Sequence, residues 1–165
     1  MPRRELLSEG QREDLLALPA DEAEFIRRYS LATEDLTRIG RFNKLHNRLG
    51  FAVLLCYLRY PGQELGPGAN PDGRLLSLVA GQVGVSPEVW PDYIRRDENR
   101  REHLAVIKAA YGYRSFSSPD YRTLSSWLLP VAMQTDQDLT LVRSALEELR
   151  GRKVILPRLP VIERL

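Results

Sequence analysis

The stretch that most constrains the fold lies between Lys44 and Tyr60. Leu45, Leu49, Ala52, Val53, Cys56 and Tyr60 recur at helical spacing, and after Leu49 the segment is apolar almost all the way round. Such a helix has no face to offer water, so it is expected at the buried centre of a bundle. The longest apolar run, Phe51 to Leu58, is far too short to span a bilayer, and the opening MPRRELLSEGQRED lacks the apolar stretch of a signal peptide. No membrane partner is expected.

The remaining punctuation is helical as well. Ser8 is placed to cap a helix through about Leu18, stopped by Pro19, and Asp21 a second through Tyr29. Thr33 starts a third, Glu34 to about Arg41, and a break at Phe42-Asn43 separates it from the central helix. Residues 61–73, PGQELGPGANPDG, hold three Pro and four Gly and read as a linker. Beyond them, Leu75, Leu76, Val79 and Val83 mark a helix from about Asp72 that Gly84 ends, and Ser86-Pro87 opens a short helix to about Arg95. Arg96 to Tyr111 follows, then a helix opened by Pro119 in which Pro130 is a candidate kink. A last amphipathic helix on Leu139, Val142, Leu146 and Leu149 precedes the tail VILPRLPVIERL. No sheet and no internal repeat are expected.

The fold class expected is all-α: two small helical bundles with helix-turn-helix-like corners, joined by a Pro/Gly-rich linker. The division is 1–60 for a first helical module, 61–73 for the linker, 74–135 for a second module, and 136–165 for an amphipathic helix and tail. A chain of 165 residues, 43% hydrophobic, can bury a core of its own. Its single cysteine, Cys56, excludes a disulfide framework and a Cys-based zinc site and points to a reducing, cytoplasmic setting.

The net charge is only +2, but it is unevenly distributed. Residues 1–35 carry −4, 36–60 carry +5, 61–94 carry −3, 95–122 carry +3, 123–150 carry −2 and 151–165 carry +3. The cations are 21 Arg against 3 Lys. Arg suits bidentate phosphate and guanine contacts, although a GC-rich genome biases composition the same way.

Three segments are candidates for nucleic-acid contact. In RIGRFNKLHNR, residues 38–48, no acid interrupts Arg38, Arg41, Lys44 and Arg48, and Asn43, His46 and Asn47 lie close by. The alternative is a solvated basic helix face. In RRDENRREH, Arg96, Arg100 and His103 share a helix face at i, i+4 and i+7, while Arg95 and Arg101 project from other sides. Pairing of Asp97 or Glu98 with Arg101 would explain part of that run, yet Arg96 and Arg100 have no obvious partner. In YGYRSFSSPDYR the rings read as core, and Arg114 is the residue expected to reach a phosphate. The corner Val79 to Arg95 has helix-turn-helix grammar, with Ala80 four places before the turn glycine. It reads first as a packing corner and only second as a DNA-contacting helix, because its second helix offers Glu88, Pro91 and Asp92 where a reading helix wants Arg, Asn or Gln.

Enzyme chemistry is poorly supplied. His46 and His103 have no Cys companions, and no nucleophile elbow, P-loop or dinucleotide fingerprint is present. No catalytic residue, metal, cofactor or small-molecule substrate is expected.

Several segments carry a resemblance: RRELLSEGQREDLLALP at 3–19, HNRLGFAVLLCYLRYPG at 46–62, VGVSP with RRDENRREHL between 83 and 104, YGYRSF at 111–116, and VILPRLPVIERL at 154–165. In this order and spacing they resemble the amino-terminal region of the replicative transposases of the Tn-three family. The resemblance implies small helical modules that bind double-stranded DNA at the transposon's terminal inverted repeats. It also implies catalysis by a ribonuclease-H-like domain farther downstream, so this chain is not expected to be an enzyme. Its expected partners are transposon ends and the remainder of the transposase or a second copy, in the bacterial cytoplasm at the nucleoid. The competing expectation is a protein-interaction or assembly module, favoured by the amphipathic helix and apolar tail.

Overall fold

A computed structural model describes residues 6–165, so Arg3 to Glu5 of the first resemblance segment lie outside it. The fold is mostly helical. It comprises α1 Glu9–Leu16, α2 Glu22–Tyr29, α3 Thr33–Ile39, α4 Leu45–Arg59, α5 Gly73–Val83, a 3-10 turn at Pro87–Val89, α6 Trp90–Ile94, α7 Asp97–Tyr111, α8 Ser118–Ala132, α9 Asp138–Gly151 and α10 Leu159–Ile162. No helix among the described residues is long and apolar enough to cross a membrane.

The chain divides into two compact units along boundaries other than those expected from sequence. One runs from 18 to 112; the other combines the described residues up to 17 with 113–165. The expected module 74–135 is therefore split, and the Pro/Gly segment 61–73 lies inside a unit rather than between two.

In the 18–112 unit, α4 is the buried centre that its sequence demands. Leu49 through Cys56 and Leu58 are buried, and α5, α6 and α7 pack on it. Full burial of side chains such as Phe51, Leu54 and Leu55 contributes about 1.5–3 kcal/mol each. Gly50 is required at its position, since a Cβ there would overlap the Tyr93 ring of α6. The ends of α5 are fixed locally: Asp72 accepts from the N–H groups of Arg74 and Leu75, and Gly84 closes the helix at φ 69°.

The 61–72 segment is strapped down. Pro61 and Gly62 are buried, the Asp72 N–H donates to the Tyr57 hydroxyl at 2.8 Å, Arg100 donates to the Leu65 carbonyl at 3.2 Å, and Lys108 pairs with Glu64 at 2.8 Å. Proline and glycine exclude regular structure, not packing.

In the second unit, α8 and α9 share a core with Leu7, Leu15, Val154, Leu156, Leu159 and Ile162. The apolar tail is thus consumed as core. It also forms a short sheet that sequence periodicity did not predict, a parallel pairing of β1 Arg114–Ser115 with β2 Val154–Ile155. α8 continues through Pro130 to Ala132.

Candidate nucleic-acid interface

The site is built where α4 and α7 begin. Before α4, the break at Phe42-Asn43 is pinned from two sides. The Arg48 Nε donates to the Phe42 carbonyl at 2.7 Å, and the Phe42 ring lies 5.0 Å from Phe51 and 4.7 Å from His103 between centroids. This leaves Arg41, Asn43 and Lys44 exposed at the mouth of the helix. Lys44 is the N-cap of α4; its carbonyl accepts from the Asn47 and Arg48 N–H groups at 3.1 and 3.2 Å, but its side chain caps none of the first turn. A basic side chain cannot cap, so the Leu45 and His46 N–H groups remain available to an anion.

The start of α7 is set by α6. Tyr93 is buried against Gly50, and its hydroxyl meets Nδ1 of His103 at 2.9 Å. α6 ends one residue later at Ile94, leaving Arg95 and Arg96 exposed, with Arg96 as the uncapped N-cap of α7. Arg95 Nη2 donates to Asp92 at 3.1 Å. Lys44, His46, Asn47, Asp92, Arg95, Arg96 and Asn99 then line one open, polar groove. The fold thereby joins two basic segments that are distant in sequence.

Other candidates from the sequence are spent on structure, which corrects their assignment. His103 is buried among Phe42, Phe51 and Tyr93, and burial, with a smaller contribution from the charge of His46, holds its pKa down at about 4. It is neutral core at neutral pH. Arg100 has the partner its stripe seemed to lack: its side chain is 15% exposed, bonded to Asp97 at 2.6 Å and to the Leu65 carbonyl. Arg48 ties down the Phe42 and Gly40 carbonyls. Arg114 grips the buried Asp120 with two nitrogens, and those bonds outweigh burial to hold the Asp120 carboxyl down at about 2.

Arg38 sits over the Tyr111 ring, 5.3 Å from its centroid. Arg101 remains exposed beside Asp97 at 3.4 Å.

The corner Val79 to Arg95 packs as a corner should, with Val79, Ala80, Val85, Trp90 and Tyr93 buried. Its second helix, however, has only five residues and exposes Glu88, Pro91 and Asp92. Those groups are ill matched to base edges. Sequence reasoning missed Asn99 and Asp92 as groove residues, although Asn99 lies three places after Arg96 on the same helix and was within reach of the periodicity.

A second polar cluster in this unit is structural. Asp35, almost wholly buried, accepts from two Arg59 nitrogens at 2.8 Å each, from the Tyr111 hydroxyl at 2.8 Å and from the Ala32 N–H at 2.9 Å. Burial opposes its charge, but the Arg59, Ala32 and Tyr111 hydrogen bonds prevail and lower its pKa.

The described chain is matched over residues 6–165 by a family profile described as Domain of unknown function (DUF4158). It is 44% identical over 164 residues to the transposase for transposon Tn21 of Escherichia coli, covering 99% of this chain and 17% of that protein. The transposase for transposon Tn501 of Pseudomonas aeruginosa is 43% identical over the same shares. The transposase for transposon Tn1546 of Enterococcus faecium is 30% identical over 162 residues, 98% of this chain and 16% of its own length. The chain thus spans about a sixth of the length of these curated relatives. Since the profile match runs unbroken across both compact units, the chain belongs to the DUF4158 family, with Tn-three family transposases as its relatives.

Proposed function

We propose that this chain is a duplex-DNA-binding module of a transposase, recognising the terminal inverted repeats of its transposon. The observation that carries the reading is the convergence of Lys44, Asn47, Arg95, Arg96 and Asn99 on one open groove. Three cations against one carboxylate suit phosphate oxygens, and the two amides suit base edges. The uncapped first turns of α4 and α7 border the same groove and favour an anion there. Arg41, Asn43 and Arg101, exposed nearby in sequence, extend the basic surface.

Relatives are transposases, which must find the ends of their own elements, and that supports terminal repeats as the target. Strand-transfer chemistry is not assigned to these residues; the module's work is recognition, alongside the rest of the transposase or a second copy. Such work belongs in the bacterial cytoplasm at the nucleoid. It requires no cofactor.

The test is fluorescence anisotropy of the full chain against the terminal repeat of its element and a shuffled duplex of equal length, across a salt series. If Arg41, Lys44, Arg96 and Arg101 meet phosphates, log K falls against log salt with a slope of about −3.6. Preference for the repeat that survives moderate salt supports the proposal, whereas equal binding to both reduces it to an electrostatic clamp. No binding to either would favour the second reading, an assembly module. That reading draws on Leu129 of α8 and Met133 just beyond its end, apolar residues that are 64% and 83% exposed.

A further inference from the structure

We propose that Arg95 reads a guanine in the major groove and that Asp92 is the residue that positions it, an inference that rests on the DNA-binding reading above. The three cations of the groove are not equivalent. Among the described residues the Lys44 and Arg96 side chains have no hydrogen-bond or ion-pair partner, whereas Arg95 is braced by Asp92, Nη2 to Oδ1, at 3.1 Å. Both partners stay open to solvent, at 74% and 50% side-chain exposure.

A carboxylate facing a phosphate-binding groove is unfavourable for affinity alone, since it repels the phosphates its neighbours attract. Its position explains it better as an orienting group. Asp92 and Arg95 are three residues apart at the end of α6, and the bond between them occupies one of the five guanidinium N–H donors. Whichever Nη2 hydrogen is used, one two-donor edge of the guanidinium stays free. Two parallel donors are what the O6 and N7 acceptors of guanine require.

The brace also limits the rotamers of a long side chain before DNA arrives, which lowers the ordering cost of docking. Unbraced Lys44 and Arg96 suit phosphates, where charge matters more than orientation. The flanking amides line the same groove, and Asn99, together with the Nδ2 of Asn47, whose Oδ1 is buried, gives a base edge further contacts.

The experiment uses the full chain, a duplex selected by it from a random pool, and a shuffled duplex of the same composition. Arg95→Ala and Arg95→Lys should each weaken binding to the selected duplex by about 5- to 100-fold, the loss expected of one bidentate base contact. Asp92→Ala should weaken binding to the selected duplex by about two- to fivefold, the scale of an exposed ion pair, yet tighten binding to the shuffled one. Asp92→Asn, which keeps an acceptor oxygen, should retain part of the preference.

Replacing guanines singly with 7-deazaguanine, which lacks N7, should reveal one position where the parent protein loses affinity and Arg95→Ala loses nothing more. Equal tightening on both duplexes with Asp92→Ala, or no guanine coupled to Arg95, would overturn the assignment. Failure of the parent protein to bind any duplex would overturn the DNA-binding reading itself. Unchanged thermal midpoints in the variants would exclude unfolding as the cause.

Discussion

The Tyr93 hydroxyl lies 2.9 Å from Nδ1 of His103, with the two rings stacked 5.6 Å apart between centroids, so one buried pair joins α6 to α7, the helices that carry Asp92 and Asn99 of the groove. Burial, followed by the charge of His46, sets the pKa of His103 at about 4, below its ordinary 6.5. Between those values the unfolded chain binds a proton that the folded chain refuses. Stability should therefore be complete above pH 6.5, fall as pH drops through the window, and stop falling on this account below about 4. Thermal unfolding followed by circular dichroism should show the midpoint dropping by roughly 5 to 10 °C across that range. His103→Gln should flatten the profile. An unchanged pH dependence in the variant would rule out His103 as its source.

Asp35 should be the most destabilising single polar position in the 18–112 unit. Asp35→Ala leaves Arg59, the Tyr111 hydroxyl and the Ala32 N–H without their shared acceptor. Breaking a buried, hydrogen-bonded ion pair from one side costs about 3–5 kcal/mol. Urea denaturation measures this directly, and a loss under about 1 kcal/mol would mean that water replaces the carboxylate readily.

What could be read in the sequence follows a physical division. The α4 core, the Asp21 cap, the start of α5 near Asp72 and the Gly84 terminator were legible because each depends on residues within one or two turns. The same periodicity put Arg96, Arg100 and His103 on one face of α7, but spacing says which residues share a face and not which way it points. Rings from Phe42 and Phe51, much earlier in the chain, turn His103 inward.

Arg48 and Arg114 misled for a related reason. Their partners are backbone carbonyls beside a break and a carboxylate that only a folded loop presents. Composition could mark the 61–73 segment as irregular, but the Tyr57, Arg100 and Lys108 contacts that hold it in place come from two other helices, α4 and α7. The β1–β2 pairing is two residues per strand, too short to leave a period.

Two glycines in the same unit should respond oppositely to alanine. Gly81, within α5, has nothing within 4 Å of a new Cβ, so Gly81→Ala gains helix propensity and should stabilise by about 0.5–1 kcal/mol. Gly50→Ala drives a methyl into the Tyr93 ring and should destabilise by about 1–3 kcal/mol or more. Because Tyr93 sits two residues before Arg95, the Gly50 variant should also lose more DNA affinity than an equally destabilised variant elsewhere in the unit. Parallel melts and binding isotherms compare the two.

The arginines should separate into two classes when each is changed to alanine and assayed for both folding and binding. Arg96→Ala and Lys44→Ala remove exposed cations with no partner among the described residues, so their stabilities should stay within about 0.5 kcal/mol of the parent. Each should instead weaken DNA binding and reduce the salt slope by about 0.9, the value of one phosphate contact. Arg48→Ala releases the Phe42 and Gly40 carbonyls, and Arg114→Ala strands the buried Asp120, so both should lower the melting temperature. Arg114→Ala should leave the salt slope at its parent value, because that side chain is committed to a carboxylate. If it lowers the slope while Arg96→Ala does not, the DNA-contacting surface lies on the 113–165 segment, and the groove at the head of α4 and α7 is not the interface.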